Sequence, residues 1–495
     1  MSELTPPTPP PVDPGAEPPA GPAVGRDEWV AREGERRAAR HPWIGTVEGR
    51  LRRVPWWAWL TLFVAAGALM PAFESSGYVR LVAFETVIYM VLALGLNLIV
   101  GWAGLLDLGY IAYFGVGSYV YAIFDSPKFG FHVPTIVLIP AATIIGALVG
   151  LCVGLPSRRL SGDYLAIMTL FFLELFETVA TNGNQIFGHN ITGGSFGISN
   201  VSPLSFFGHR LAVEHQGIFA VSYYYIAIVM FVIIFVTLRF ANLSRTGRAW
   251  RSLREDTLAA EVMGMPVNWL KLLSFATGAG VAALAGTVTT ALNASVYPLN
   301  FSPVVMITIY AMVILGGIGS QWGAVLGAIL ISVLLQVLQN PGQARALFYL
   351  GVIVGVIAMF RFSLRLAAVV AATAVFGVVV HAVAASYHHS WVDGAHGGVA
   401  GVLGDWVVVP VQLAPWVGQV AYLLLLIGML CVTQLRGWLR IVALPPTLYL
   451  AGFVWENLMI PNPGPARYII LGLLLIVLMI VRPNGLLGER RVEIT

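Results

Sequence analysis

From the N-terminus the chain is polar and Pro-rich until Trp56, where long apolar runs begin to succeed one another, separated by short polar breaks. The runs fall at about 56–73, 79–100, 102–124, 133–155, 162–180, 222–240, 269–292, 304–318, 322–338, 345–360, 366–386, 416–435, 439–456 and 467–481. Most approach the roughly 20 residues that an α-helix needs to cross the hydrocarbon of a bilayer. A helix satisfies its own backbone N–H and C=O groups, the condition that lipid imposes on any spanning segment. The pattern predicts an all-α, polytopic helical membrane protein of about ten to fourteen transmembrane segments, some short or broken by Gly and Pro.

Composition sharpens that reading. Of 495 residues, 58% are hydrophobic and 11% charged, with a mean hydropathy of +0.80. Soluble domains carry roughly 25% charged residues, so a water-exposed globular surface is excluded. Cys152 and Cys431 both sit inside apolar runs, so no disulfide framework is expected. The first apolar run starts too late for a cleavable signal peptide. The net charge of +4 fits basic cytoplasmic loops better than nucleic-acid binding.

Charge placement predicts the organisation. Residues 1–25 are low-complexity and Pro-rich and are expected to be disordered. Residues 26–55 form a basic juxtamembrane segment, either an amphipathic helix on anionic lipid or a solvated tail that fixes topology. With the N-terminus inside, only Arg80, Lys128, Arg210, Arg345 and Arg467 of the 28 Lys/Arg fall outside. The positive-inside rule therefore places both termini in the cytoplasm. A permease-like core is expected over 56–361. Extra membrane segments follow over 362–466, carrying an external loop at 386–415, and a last segment and cytoplasmic tail occupy 467–495. Arg345–Arg361 faintly echoes Arg467–Arg482, which either a duplication or chance among apolar helices would explain.

The longest polar interruption, Asn242–Asn268, carries Arg245, Arg248, Arg251 and Arg254 at every third position, then Glu255, Asp256 and a small Leu258-Ala259-Ala260 turn. Gly264 stands where a helix would need a left-handed C-cap, with Pro266 just beyond. This predicts short helices on the cytoplasmic surface, charged on one side and small-apolar on the other. A merely topogenic loop would need the charge but not the caps.

On these residues the segment GRAWRSLREDTLAAEVMGM resembles the cytoplasmic coupling loop of ABC-importer permeases, above all the LivM-type branched-chain amino-acid permeases. LGLNLIVGWAGLLDLGYIAYFGVGSY (94–119), LSGDYLAIMTL (160–170), ITGGSFGI (191–198) and GGIGSQWGAVLGAIL (316–330) extend the likeness over about 80–340, and it returns at RPNGLLG. Residues 1–55 and 362–466 have no counterpart in it. The resemblance implies an ATPase-coupling set of Arg248, Arg251, Arg254, Glu255, Asp256, Ala259, Ala260, Glu261 and Gly264. It implies two ATP-binding subunits holding ATP and Mg, a second homologous permease subunit and an extracytoplasmic substrate-binding protein, in a bacterial inner membrane. This chain would then hold no cofactor and no metal, and would catalyse no reaction itself.

Gly319, Gly323 and Gly327 form a small-residue stripe for close helix packing. The broken hairpin around Gly101–Gly117 and carboxylates near membrane depth suggest a substrate path through Asn97, Gly104, Asp107, Tyr110, Glu174 and Glu177. Asp163 is expected to cap its helix. Thr192, Gly193 and Gly194 could offer backbone amides to a carboxylate, or form an ordinary turn. His388, His389, Asp393 and His396 are a weak metal cluster and more simply a solvated loop. The other readings are a urea or short-amide permease, a self-contained channel or secondary transporter, and a membrane enzyme built on that His loop.

Overall fold

The computed structural model describes residues 55–73, 82–127, 133–158, 162–184, 190–206, 222–360, 364–387, 406–410, 414–435, 438–481 and 485–488, with isolated positions between them. The Pro-rich tail, almost all of the basic segment, His388, His389, Asp393 and His396, and the last seven residues lie outside the described residues.

Every predicted apolar run contains a helix. They are α1 (Trp56–Phe73), α2 (Phe84–Leu96), α3 (Tyr110–Phe124), α4 (Thr135–Ser157), α5 (Asp163–Asn182) and α6 (Ser222–Leu243). Two short helices, α7 (Arg245–Glu255) and α8 (Thr257–Val262), precede α9 (Val267–Asn293), α10 (Pro303–Gly316), α11 (Gln321–Val337) and α12 (Pro341–Phe360). Then come α13 (Leu364–Tyr387), α14 (Pro415–Gln434), α15 (Trp438–Val454) and α16 (Pro463–Val481). Among the described residues nine helices are long and apolar enough to cross a membrane. The α11–α12 pair, bent by 117°, raises that to ten, and α1, α3 and α16 are shorter apolar helices.

Small residues set the packing of the centre. The 27-residue α9 lies against α3 and α4, where a Cβ at Gly117 would overlap the Ala283 carbonyl and one at Gly286 the Phe114 carbonyl. Gly146 and Gly150 on α4 meet Ala283 and Ala279 in the same way. Such close approach maximises dispersion contact where lipid removes the hydrophobic drive between helices. Gly323 and Gly327 do this between α11 and α10, against the Gly316 and Met312 carbonyls. Gly319 departs from the expected stripe: it lies in the turn before α11, at φ +95°.

Beyond α12, the Val356, Val369, Val432 and Leu444 side chains join α12, α13, α14 and α15. Arg345 Nε donates to Glu456 Oε2 at 2.8 Å, and Tyr349 donates to the other carboxylate oxygen at 3.3 Å. That ties α12 to a π-helical turn, Trp455–Met459, which ends α15. Short strands complete the loops: β1 (Ile198–Ser199) pairs antiparallel with β4 (Ser295–Val296), and β2 (Ser205–Phe206) with β3 (His209–Arg210).

Candidate functional site

The polar interruption folds as its local chemistry dictates. Ser244 caps α7, its Oγ accepting from the Gly247 N–H at 3.4 Å. Asp256 caps α8 by accepting from Leu258 N at 2.8 Å and Ala259 N at 3.0 Å. At the far end Gly264 has φ +78°, Met265 N donates to Ala260 O at 3.1 Å, and Gly264 N donates to Glu261 O at 2.9 Å. This pair of bonds around a left-handed glycine is a Schellman C-cap, with Pro266 stopping the helix. Trp250 and Leu253 bury the inner face of α7, and Trp250 Nε1 donates to Leu270 O at 2.9 Å.

The surface that α8 offers differs from the expected one. Ala260 is 2% exposed, packed into its own chain, while Leu258, Val262 and Met263 stand 73%, 79% and 79% exposed. The available tip is therefore larger and more apolar than an Ala pair. Ala259, Glu261 and Gly264 are exposed beside it, and no atom lies within 4 Å of a Cβ placed on Gly264.

The arginine stripe also divides. Arg245 and Arg248 are exposed, whereas Arg251 is half-buried and donates to Asn242 O at 3.4 Å. Glu255 and Asp256 are exposed at the junction of the two helices. Arg254 turns inward and donates from Nη1 to the carbonyl of Gly101, with its stem against Gly104. Its guanidinium thus holds the break in α2 and is not a free surface charge.

That break is the densest polar node among the described residues. After Leu96 the backbone widens into a π-helical turn, Asn97–Trp102, and Gly104 takes φ +72°. Asn97 Oδ1 accepts from Gly319 N at 2.8 Å, and Trp102 Nε1 donates to Gly319 O at 2.9 Å. The chain's C-terminal segment clips the same turn: Leu486 N and Leu487 N donate to Leu315 O and Gly316 O, each at 2.9 Å.

Asp107 follows, fully buried. Its Oδ1 accepts from Gly109 N at 2.9 Å, its carbonyl accepts from Tyr310 Oη at 2.7 Å, and Leu108 N donates to Thr169 Oγ1 at 2.9 Å. Among the described residues, Asp107 Oδ2 and the hydroxyls of Tyr110 and Tyr113 have no hydrogen-bond partner. Unmade hydrogen bonds at such depth are costly. Asn97, Gly104, Asp107 and Tyr110 all lie between the π-helical end of α2 and the start of α3.

The other expected path residues go elsewhere. Glu174 is exposed and Glu177 half-buried on α5, beside exposed Phe171, Leu175 and Val179. The Gly193 amide donates to Asn190 Oδ1 at 2.8 Å and the Gly194 amide to Thr192 Oγ1 at 3.3 Å, so both are spent within the loop. Both amides are thus engaged as in an ordinary turn. Asp163 occupies the first turn of α5, with Gly162, at φ +57°, at the cap position.

At the end of α2 away from Arg254, a cavity of about 560 Å³ lies between α2, α3, α9 and the 293–301 loop. Its volume is in the roughly 300–1,000 Å³ range of small-molecule sites. Glu85, Asn293 and Asn300 supply polar lining, and Leu92, Ile111 and Phe114 apolar lining. Nothing in the sequence around Glu85 marks this cavity. A lone carboxylate in the first turn of an apolar helix resembles a dipole partner, and only the packing of several elements reveals the cavity beside it.

Residues 78–357 match the family described as branched-chain amino acid transport system / permease component. The chain is 33% identical over 313 residues to the high-affinity branched-chain amino acid transport system permease protein LivM of Salmonella typhimurium, covering 60% of this chain and 71% of that one. A probable LivM of Methanocaldococcus jannaschii is 27% identical, over 54% of this chain and 82% of its own. The permease protein LivH of Escherichia coli is 26% identical, over 50% and 80%. No solved structure matches.

Proposed function

Because this chain belongs to the branched-chain amino acid transport permease family, we propose that it is the membrane-spanning subunit of an ATP-driven importer of branched-chain or related small amino acids. An extracytoplasmic binding protein delivers the substrate. Two ATP-binding subunits, carrying ATP and Mg, sit against α7 and α8, and a second permease subunit completes the path. Both termini are cytoplasmic, in a bacterial inner membrane.

The observation that carries this reading is the α7–α8 tip joined to the α2 break. Leu258, Val262 and Met263 form an exposed apolar knob on a doubly capped helix, a shape suited to a cleft in a partner subunit. Arg254, one turn before α8, grips the Gly101 carbonyl. A push on α8 therefore reaches the polar break beside Asp107 through one side chain. A loop that served only topology would need neither the caps nor this link.

The α5 carboxylates, Glu174 exposed and Glu177 half-buried, support a second permease subunit. Glu174 and Glu177 lie on a helix of spanning length, and facing them into hydrocarbon costs at least roughly 2 kcal/mol each. Protein or a water-filled path must cover that face.

The test is purification of the intact complex, identification of its chains, and measurement of ATP hydrolysis stimulated by loaded binding protein. Met263→Asp at normal abundance should abolish stimulation and uptake. Wild-type stimulation in that variant would remove α8 from the coupling interface. Leucine uptake without any ATP-binding chain would overturn the importer reading.

A further inference from the structure

We infer that the cavity beside Glu85 is a binding site for the primary ammonium of a neutral, apolar amino acid, with Glu85 as its anion and the Leu92–Phe114 wall as its side-chain pocket. This rests on the importer reading only for the identity of the natural guest. The chemistry follows from the lining.

Glu85, Ile88 and Leu92 recur at helical spacing on one face of α2 and all line the cavity. Seven residues separate Glu85 from Leu92, about 10 Å along the axis. A polar rim is thus followed by an apolar floor on one wall. Asn293 and Asn300, both exposed, stand in the facing 293–301 segment and provide amide groups for a carboxylate.

A guest with an ammonium at Glu85 and a branched aliphatic chain at Leu92, Ile111 and Phe114 pairs the carboxylate and covers the apolar part of this lining. Urea or a short amide brings no cation to Glu85 and leaves the floor unfilled. A carboxylate that served only the N-terminus of α2 would be indifferent to any guest.

The same ammonium is carried by phosphatidylethanolamine, so the experiment separates the two sources. The full chain alone, in nanodiscs of phosphatidylglycerol with and without phosphatidylethanolamine, is titrated with labelled leucine. Two competitors follow: 3-methylbutylamine, which lacks the carboxylate, and 4-methylpentanoate, which lacks the ammonium. Glu85→Gln should weaken leucine and the amine about tenfold, the scale of one charge-assisted hydrogen bond, and leave the acid unchanged. Glu85→Asp should retain most of the affinity.

An equal loss for all three ligands, or none for leucine, overturns the assignment. So does leucine binding that disappears when phosphatidylethanolamine is present, because the site would then belong to lipid. If the assembled transporter imports leucine while Glu85→Gln changes neither binding nor uptake, this inference fails and the importer reading stands. Glu85-dependent leucine binding by the chain alone, in a complex that imports no branched-chain amino acid, would do the reverse.

Discussion

Two sets of equally recognisable helices behave in opposite ways. α2 with its π-helical end is 78% buried and α9 is 67% buried, whereas α13 is 17% and α14 22% buried. Of these four, α9 is the least hydrophobic and carries Gly, Ala and Thr along its length. By contrast α13, though also rich in Ala, leaves Val375, Val378, Val379 and Val383 exposed, and α14 leaves Leu423, Leu424 and Leu430 exposed. In lipid, burial is won by small residues that let backbones meet and by polar groups that find partners, since an apolar side chain is as well solvated outside. Hydropathy thus reports that a helix spans, and the close backbone approaches of its small residues report where it sits. The 78–357 region that matches the permease family holds the Gly/Ala crossings, the α2 break and the cavity. Beyond it, α13–α15 are held chiefly by side-chain clusters and the Arg345–Glu456 pair.

The strongest way to break this comparison is to add volume at matched glycines. Gly286→Leu forces a Cβ into the Phe114 carbonyl and Ser118, where backbone cannot yield. Its cost should be about 3 kcal/mol or more, at the upper end of overpacking, and little folded protein should reach the membrane. Gly472→Leu on α16 meets nothing within 4 Å and should leave the melting temperature in nanodiscs nearly unchanged. Equal tolerance at both positions would deny that close packing defines the core.

A second prediction separates the two kinds of arginine on α7. Arg254→Ala removes the donor to Gly101 O and should lower stimulated ATP hydrolysis and uptake about tenfold or more at normal abundance. Arg245→Ala changes an exposed charge and should stay within about twofold, because exposed charges contribute little. Gly264→Val should fall between them, since a β-branched residue at φ +78° costs roughly 1–2 kcal/mol of local strain. Equal activity in the Arg254 and Arg245 variants would sink the link between α8 and the break.

These tests also show what was readable beforehand. The helices were legible because each apolar run must close its own hydrogen bonds. The α7–α8 caps were legible because Ser244, Asp256 and Gly264-Met265-Pro266 carry local rules that distant packing does not change. Which way Arg254 and Ala260 face was not legible, because a helical stripe gives a face but not the body it turns toward. At Gly193 and Gly194 the sequence left two readings open, because it does not show that Asn190 and Thr192 take their amides within the loop. Glu85 stayed hidden because its cavity is assembled from residues up to 220 positions away in sequence.

A third, smaller effect is expected at the Arg345–Glu456 pair. Glu456 is buried and accepts from both Arg345 and Tyr349. Glu456→Gln removes the charge that strengthens both bonds and should cost about 2 kcal/mol, confined to α12–α15. Limited proteolysis and hydrogen exchange should report loosening there, with α2, α3 and α9 as protected as before. Equal loosening of α9 would show that the two regions fold as one cooperative unit.

The smallest effect sharpens the comparison most. Val375 on α13 is 62% exposed, and the neighbouring Val378, Val379 and Val383 share that exposure. If lipid covers this face, Val375→Leu exchanges one aliphatic surface for another in a solvent that treats them alike. Stability should then change by no more than about 0.5 kcal/mol, and uptake not at all. Val375→Trp should be tolerated for the same reason, since acyl chains rearrange around a larger side chain where a packed protein surface cannot. A folded Val375→Trp chain that loses uptake would mean that another protein chain, and not lipid, lies against α13. The added helices would then owe their low burial to a missing neighbour, and their Val-rich faces would be read as an interface built for a partner.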